Sequence, residues 1–144
     1  MRIVYFILAI ALLNGCKRTP SNLAHQIASA DHIVVRYRFA HPPPQLSGIR
    51  LSVSGDKVHE IVKAVSSATH EGDTLCAWPW ELQFYRNTNR LAIIDFQGPS
   101  LLVENVEYWD KSGVLAELDR EILRQIRFKP THSNTELKPK ATAH

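Results

Sequence analysis

WELQFYRNTNRLAIIDFQ, residues 80–97, carries an apolar alternation, a polar turn and a second apolar segment. Trp80, Leu82 and Phe84 alternate with Glu81, Gln83 and Tyr85, the period-2 pattern of a strand that buries one face. Asn87-Thr88-Asn89 interrupts the pattern, and because asparagine tolerates positive φ a hairpin there has a mechanism. Gly98-Pro99 makes a second turn into LLVENVEYW, residues 101–109. Three strands joined by turns this short form an antiparallel meander.

The flanking sequence extends this pattern into a domain. Ile33, Val35, Tyr37 and Phe39 alternate with Val34, Arg36 and Arg38 until AHPPPQLSG, residues 40–48, where three consecutive prolines cannot donate ladder hydrogen bonds. Ile49, Leu51 and Val53 then alternate with Arg50 and Ser52 as a second, short strand. Ser54-Gly55-Asp56 supplies an N-cap and a first-turn acid, and Val58, Ile61, Val62, Val65 and Ala68 follow at helical spacing, with Lys57, Glu60 and Lys63 toward water. That helix is expected to end near Thr69, where HEGD opens a loop. After the meander, Asp110-Lys111-Ser112-Gly113 starts a second helix, with Leu115, Leu118, Ile122 and Ile126 on one face and Glu117, Arg120, Glu121 and Arg124 on another. The expected class is α+β, in the order β-β-α-β-β-β-α: a small antiparallel sheet with two amphipathic helices on one face, spanning residues 32–128.

The N-terminus has a different character. Met1 and Arg2 precede a charge-free apolar run, Ile3 to Leu13, which at about 1.5 Å per helical residue reaches only about half of a ~30 Å hydrocarbon core. It has no polar positions at helical period and reads as a signal peptide over residues 1–15. Leu13-Asn14-Gly15-Cys16 resembles the lipobox of bacterial lipoproteins. The resemblance covers about the first 20 residues and implies cleavage between Gly15 and Cys16, a diacylglycerol on the Cys16 thiol and further acylation of the new amino group. One acyl chain binds a membrane marginally and two or more bind stably, so the implied mature protein is membrane-held without a transmembrane helix. Lys17, where lipoproteins kept in the inner membrane commonly have Asp, implies the periplasmic face of the outer membrane in a Gram-negative cell. Residues 16–31 read as a tether that can turn helical near Leu23 to Ala30, and residues 129–144, without hydrophobic periodicity, as a disordered tail.

Composition excludes several function classes. The chain has 17 Lys+Arg and 14 Asp+Glu. The excess sits at the ends, in Arg2, Lys129, Lys138 and Lys140 against Glu136, so the domain is balanced and lacks the basic face that nucleic-acid binding needs. With Cys16 lipidated, Cys76 has no intramolecular partner and reads as a buried small hydrophobe. The seven histidines offer no pair at zinc-ligand spacing within the domain, and no glycine-rich phosphate loop occurs; no metal or cofactor is expected.

Among the aromatic residues, Trp80 shares the phase of Leu82 and Phe84 and belongs to the core. Trp78 precedes a proline in a loop, Tyr85 has the opposite phase to Phe84, and Trp109 ends a strand; these three form a candidate binding patch. SGDKVHEIVKAVSSA, LQFYRNTNRLAIIDF and YWDKSGVLAELDREI are similar to segments of a loose group of small secreted bacterial proteins, a resemblance that implies a single domain and contributes no site. The functional expectation is a lipid-anchored, non-enzymatic binding or envelope accessory module with an envelope protein as partner. One alternative is a periplasmic immunity or inhibitor protein presenting HPPPQLSG. The other is a small hydrolase using Cys76, with His70 the nearest base, or His59 with Glu60, although neighbours on a helix point about 100° apart.

Overall fold

A computed structural model describes residues 19–74 and 76–128. The expected signal peptide, the expected cut between Gly15 and Cys16, Cys16 itself and the expected disordered tail, residues 129–144, lie outside the described residues. The protein is α+β. Its elements are α1 (Ser21–Ile27), β1 (His32–Tyr37), β2 (Arg50–Ser54), α2 (Asp56–Ser67), β3 (Thr69–Asp73), β4 (Trp80–Arg86), β5 (Asn89–Gln97), β6 (Ser100–Val103), β7 (Val106–Trp109) and α3 (Val114–Phe128). The strands form one sheet in the order β2-β1-β4-β5-β6-β7-β3, and every pairing is antiparallel.

The meander forms through both turns read from the sequence. Arg86 pairs with Asn89 across Asn87-Thr88, with Asn87 at φ 53°, and Gln97 pairs with Ser100 across Gly98-Pro99, with Gly98 at φ 54°. A glycine at positive φ followed by proline's fixed negative φ gives the φ signs of a type II′ hairpin turn. Two features differ from expectation. LLVENVEYW is a hairpin, because Glu104 and Asn105 both take positive φ (51° and 65°) and fold β6 back against β7. Glu104 lacks asparagine's tolerance for that region, so the residue type does not mark the turn. THEGD is β3, an edge strand on β7 with a register shift between His70 and Gly72, where a loop was expected. The sheet therefore has seven strands rather than five.

All three helices lie on one face, packed on Ile33, Val35, Leu82, Phe84, Ile94, Phe96 and Leu101. Their buried positions are Leu23 and Ile27 of α1, Val58, Ile61, Ala64 and Val65 of α2, and Leu115, Leu118 and Ile122 of α3. Residues 19–31, expected as tether, thus add Leu23, Ile27 and Ala30 to the core. Ser54 ends β2 and does not cap α2, whose N-cap is Gly55 at φ 67°. The opening of α3 is held by Asp110, which accepts the Leu115 amide (2.9 Å) and the Ser112 amide (2.8 Å). No helix among the described residues is long and apolar enough to cross a membrane.

Candidate functional site

The sheet face away from the helices is open on the β2-β1-β4-β5 side, and strand register fixes what it presents. Arg50 lies opposite Arg36, Arg36 opposite Glu81, and Glu81 opposite Asp95, so one cross-strand row reads cation, cation, acid, acid. The next row on that face is Ser52, Val34, Gln83 and Ile93. Like charges directly opposite are unfavourable in a sheet, and this row contains two such pairs.

Ion pairs relieve one side of the conflict. Arg36 Nε donates to Glu81 Oε2 at 2.8 Å, and Arg38, one step past the end of β1, reaches Asp95. Gln83 Nε2 also donates to Glu81 Oε2 (2.9 Å), and the Tyr85 hydroxyl donates to Gln83 Oε1 (2.9 Å). The His32 ring stacks on Tyr85 at 5.1 Å and pairs with Asp31. Both acids of the row are therefore occupied, while Arg50 has no acceptor among the described residues. These pairs are partly exposed, so they orient side chains more than they stabilise the fold.

Two grooves flank this row. One, of about 570 Å³, lies between the open face and residues 39–49; its wall includes Arg36, Arg38, Arg50, Phe39 and Tyr85. The HPPPQLSG segment forms its far side and is tied down locally: the Leu46 and Ser47 amides donate to Pro43 O, and Leu46 and Ile49 pack on the core. The other, of about 480 Å³, is a notch beside β5, because β6 pairs only with Asp95 to Gln97; Glu81, Ile93, Asp95 and the Glu104-Asn105 turn line it. Arg38 belongs to both walls.

Burial pushes the Asp95 carboxyl above the ordinary carboxylate range, a rise that Arg38 opposes and Glu81 adds to. Asp119 is also raised by burial, against donation from the Trp80 indole and the Gly98 amide. Asp31, fully exposed, is lowered, first by the Asn87 amide and then by His32. For Asp95, a raised folded value means that the folded state holds the proton more tightly than the unfolded chain. The associated stabilisation is complete below the ordinary carboxylate pKa and is lost as pH rises through the folded value. Asp95→Asn should accordingly remove this pH dependence and change stability at pH 7 by less than about 1 kcal/mol, although it deletes an ion pair. Denaturant melts from pH 4 to 7 check this. A loss of about 3 kcal/mol would instead mark a pair broken from one side in a buried setting.

The residues expected as a patch do not converge. Tyr85 sits opposite His32 and Arg90, while Trp109 sits opposite Ser100 and Thr69, three strands away and toward the other end of the sheet. Trp78 is half-buried before β4, and its buried indole nitrogen has no acceptor among the described residues. Trp80 is in the core, as its phase required.

Cys76 is exposed rather than buried. Its amide donates to Thr74 Oγ1 at 3.2 Å, and its thiol has no hydrogen-bond partner among the described residues. His70, the nearest base in sequence, lies edge-on to Tyr108, and Glu60 is taken by Lys57 at 2.9 Å instead of turning to His59. Among the described residues no three His, Cys, Asp or Glu side chains gather as a metal-binding group. The chain matches no protein-family model, no curated protein and no solved structure.

The sequence reading passed over Arg36, Arg38, Arg50, Glu81 and Asp95 as ordinary solvent-facing positions of half-buried strands. Charges on the polar phase of β1, β2, β4 and β5 were the available signal. Without the strand order, nothing placed the two arginines side by side.

Proposed function

We propose that this chain is a lipid-anchored extracytoplasmic lipoprotein whose domain is a non-enzymatic binding module, taking an oxyanion-bearing ligand in the groove beneath residues 39–49. The observation that carries the binding site is Arg50 directly opposite Arg36 with no acceptor of its own among the described residues. A carboxylate or phosphate seated between the two guanidiniums turns a repulsive pair into a clamp of charge-assisted hydrogen bonds. Phe39 and Tyr85 in the same wall add aromatic surface suited to the body of such a ligand. The lipid anchor is supported by the apolar run and by Leu13-Asn14-Gly15-Cys16.

The unlipidated full chain, titrated with a sugar phosphate and with a uronic acid while amide resonances are followed, tests the site. Shifts are expected at residues 36, 50 and 39–49, and Arg50→Ala should weaken binding roughly 10- to 100-fold, the loss of one charge-assisted contact. Shifts that are unchanged in Arg50→Ala, or that fall elsewhere, would remove the groove as the binding site. The immunity or inhibitor reading draws support from a separate observation: Pro43, Pro44 and Gln45 are exposed at the tip of a segment fixed at its base.

A further inference from the structure

Thr19 is the first described residue and is 4 % exposed. Its amide donates to Ala68 O at 3.1 Å, and its hydroxyl contacts Val65 O at 2.7 Å and Ala68 O at 3.1 Å. These carbonyls close α2, which has no basic residue in its last turn; Val65 O also accepts the Ala68 amide at 3.3 Å, and Thr19 adds donors to both carbonyls at this helix end. The chain is pinned to the domain at residue 19.

Cys16 precedes Thr19 by three residues. Three fully extended steps reach about 11 Å at most, under twice the roughly 6 Å depth of one headgroup layer. A lipid on Cys16 therefore keeps Thr19 within about 11 Å of the acylated residue. The surface beside the pin is also defined. Thr69 follows Ala68 and pairs with Trp109, which places the Trp109 backbone within about 13 Å of Thr19 by chain geometry and strand spacing. Trp109 is 41 % exposed, among the few large apolar side chains left open. Tryptophan favours the headgroup level of a membrane. Lys17 and Arg18 before the pin, and exposed Lys111 two residues after Trp109, add the positive charge that anionic headgroups attract.

We infer that the domain docks on the lipid surface through the end of the sheet that carries Trp109. The inference rests on lipidation of Cys16. Full-length protein extracted with its lipid is reconstituted into phosphatidylethanolamine–phosphatidylglycerol vesicles containing brominated acyl chains, and tryptophan quenching is read beside acyl mass. Quenching is expected in the wild type and should be largely lost in Trp109→Phe, which leaves Trp78 and Trp80 in place. Ten Gly/Ser residues inserted between Arg18 and Thr19, with a mean span of roughly 17 Å, should keep the acyl mass and reduce quenching. Acylated wild-type protein that floats with vesicles but shows no quenching, or quenching retained in Trp109→Phe, would overturn the docking face while leaving the anchor intact. Absence of acyl mass would overturn the anchor and the docking with it.

Discussion

A Cys16→Ser variant expressed in a bacterium is expected to lose both the diacylglycerol mass and the cut before residue 16, whereas wild-type protein should begin at Cys16 and remain with the membrane fraction. Each buried methylene contributes about 0.8 kcal/mol, so two or three acyl chains hold the protein through washing, and a protein without them has no comparable anchor. Intact mass and fractionation of the two proteins side by side read the effect, which is all-or-none. Unmodified wild-type protein that retains Met1 and stays in the soluble fraction would reduce LLNGCKRTP to the end of a hydrophobic segment. The envelope would then no longer be the place to seek a ligand.

The second large effect is on stability. Phe84 is 0 % exposed and lies between Ile33 and Ala92 on the strands beside β4, under the helices. Phe84→Ala should cost about 3–5 kcal/mol, the lost transfer energy plus the cavity left behind. Single domains have about 5–15 kcal/mol in total, so the melting midpoint should fall by roughly 10–20 °C. Tyr85→Phe, one residue on and half-buried on the other face, loses a single hydrogen bond to Gln83 and should cost about 1 kcal/mol or less. Thermal unfolding of both variants checks the contrast. Equal losses would contradict the assignment of β4's two faces.

That contrast shows which parts of the fold were legible. Alternation in WELQFYR assigned Trp80, Leu82 and Phe84 to the core because strand side chains alternate without exception over so short a run. Helical spacing identified the buried stripes of α2 and α3 for the same kind of reason. Glu104-Asn105 was concealed because a glutamate at positive φ is stabilised by the surrounding hairpin rather than by its own preference. THEGD has little β propensity and pairs as an edge strand through its neighbour β7. Leu23 and Ile27 hinted at a short helix within a tether, but only packing and the pin at Thr19 make α1 part of the core.

By itself, then, the sequence determined the α+β class, the meander with its two turns, the buried faces of three strands and two helices, and the apolar N-terminal run Ile3 to Leu13 ahead of Cys16. These depend on local periodicity and on what glycine, asparagine and proline permit within a few residues. Only the tertiary structure decided that β4 inserts between β1 and β5, because strand order follows from long-range pairing that no local pattern encodes. That order sets Arg50 beside Arg36 and Glu81 beside Asp95, leaves Arg50 open to a groove, parts Tyr85 from Trp109, and brings Trp109 close to Thr19.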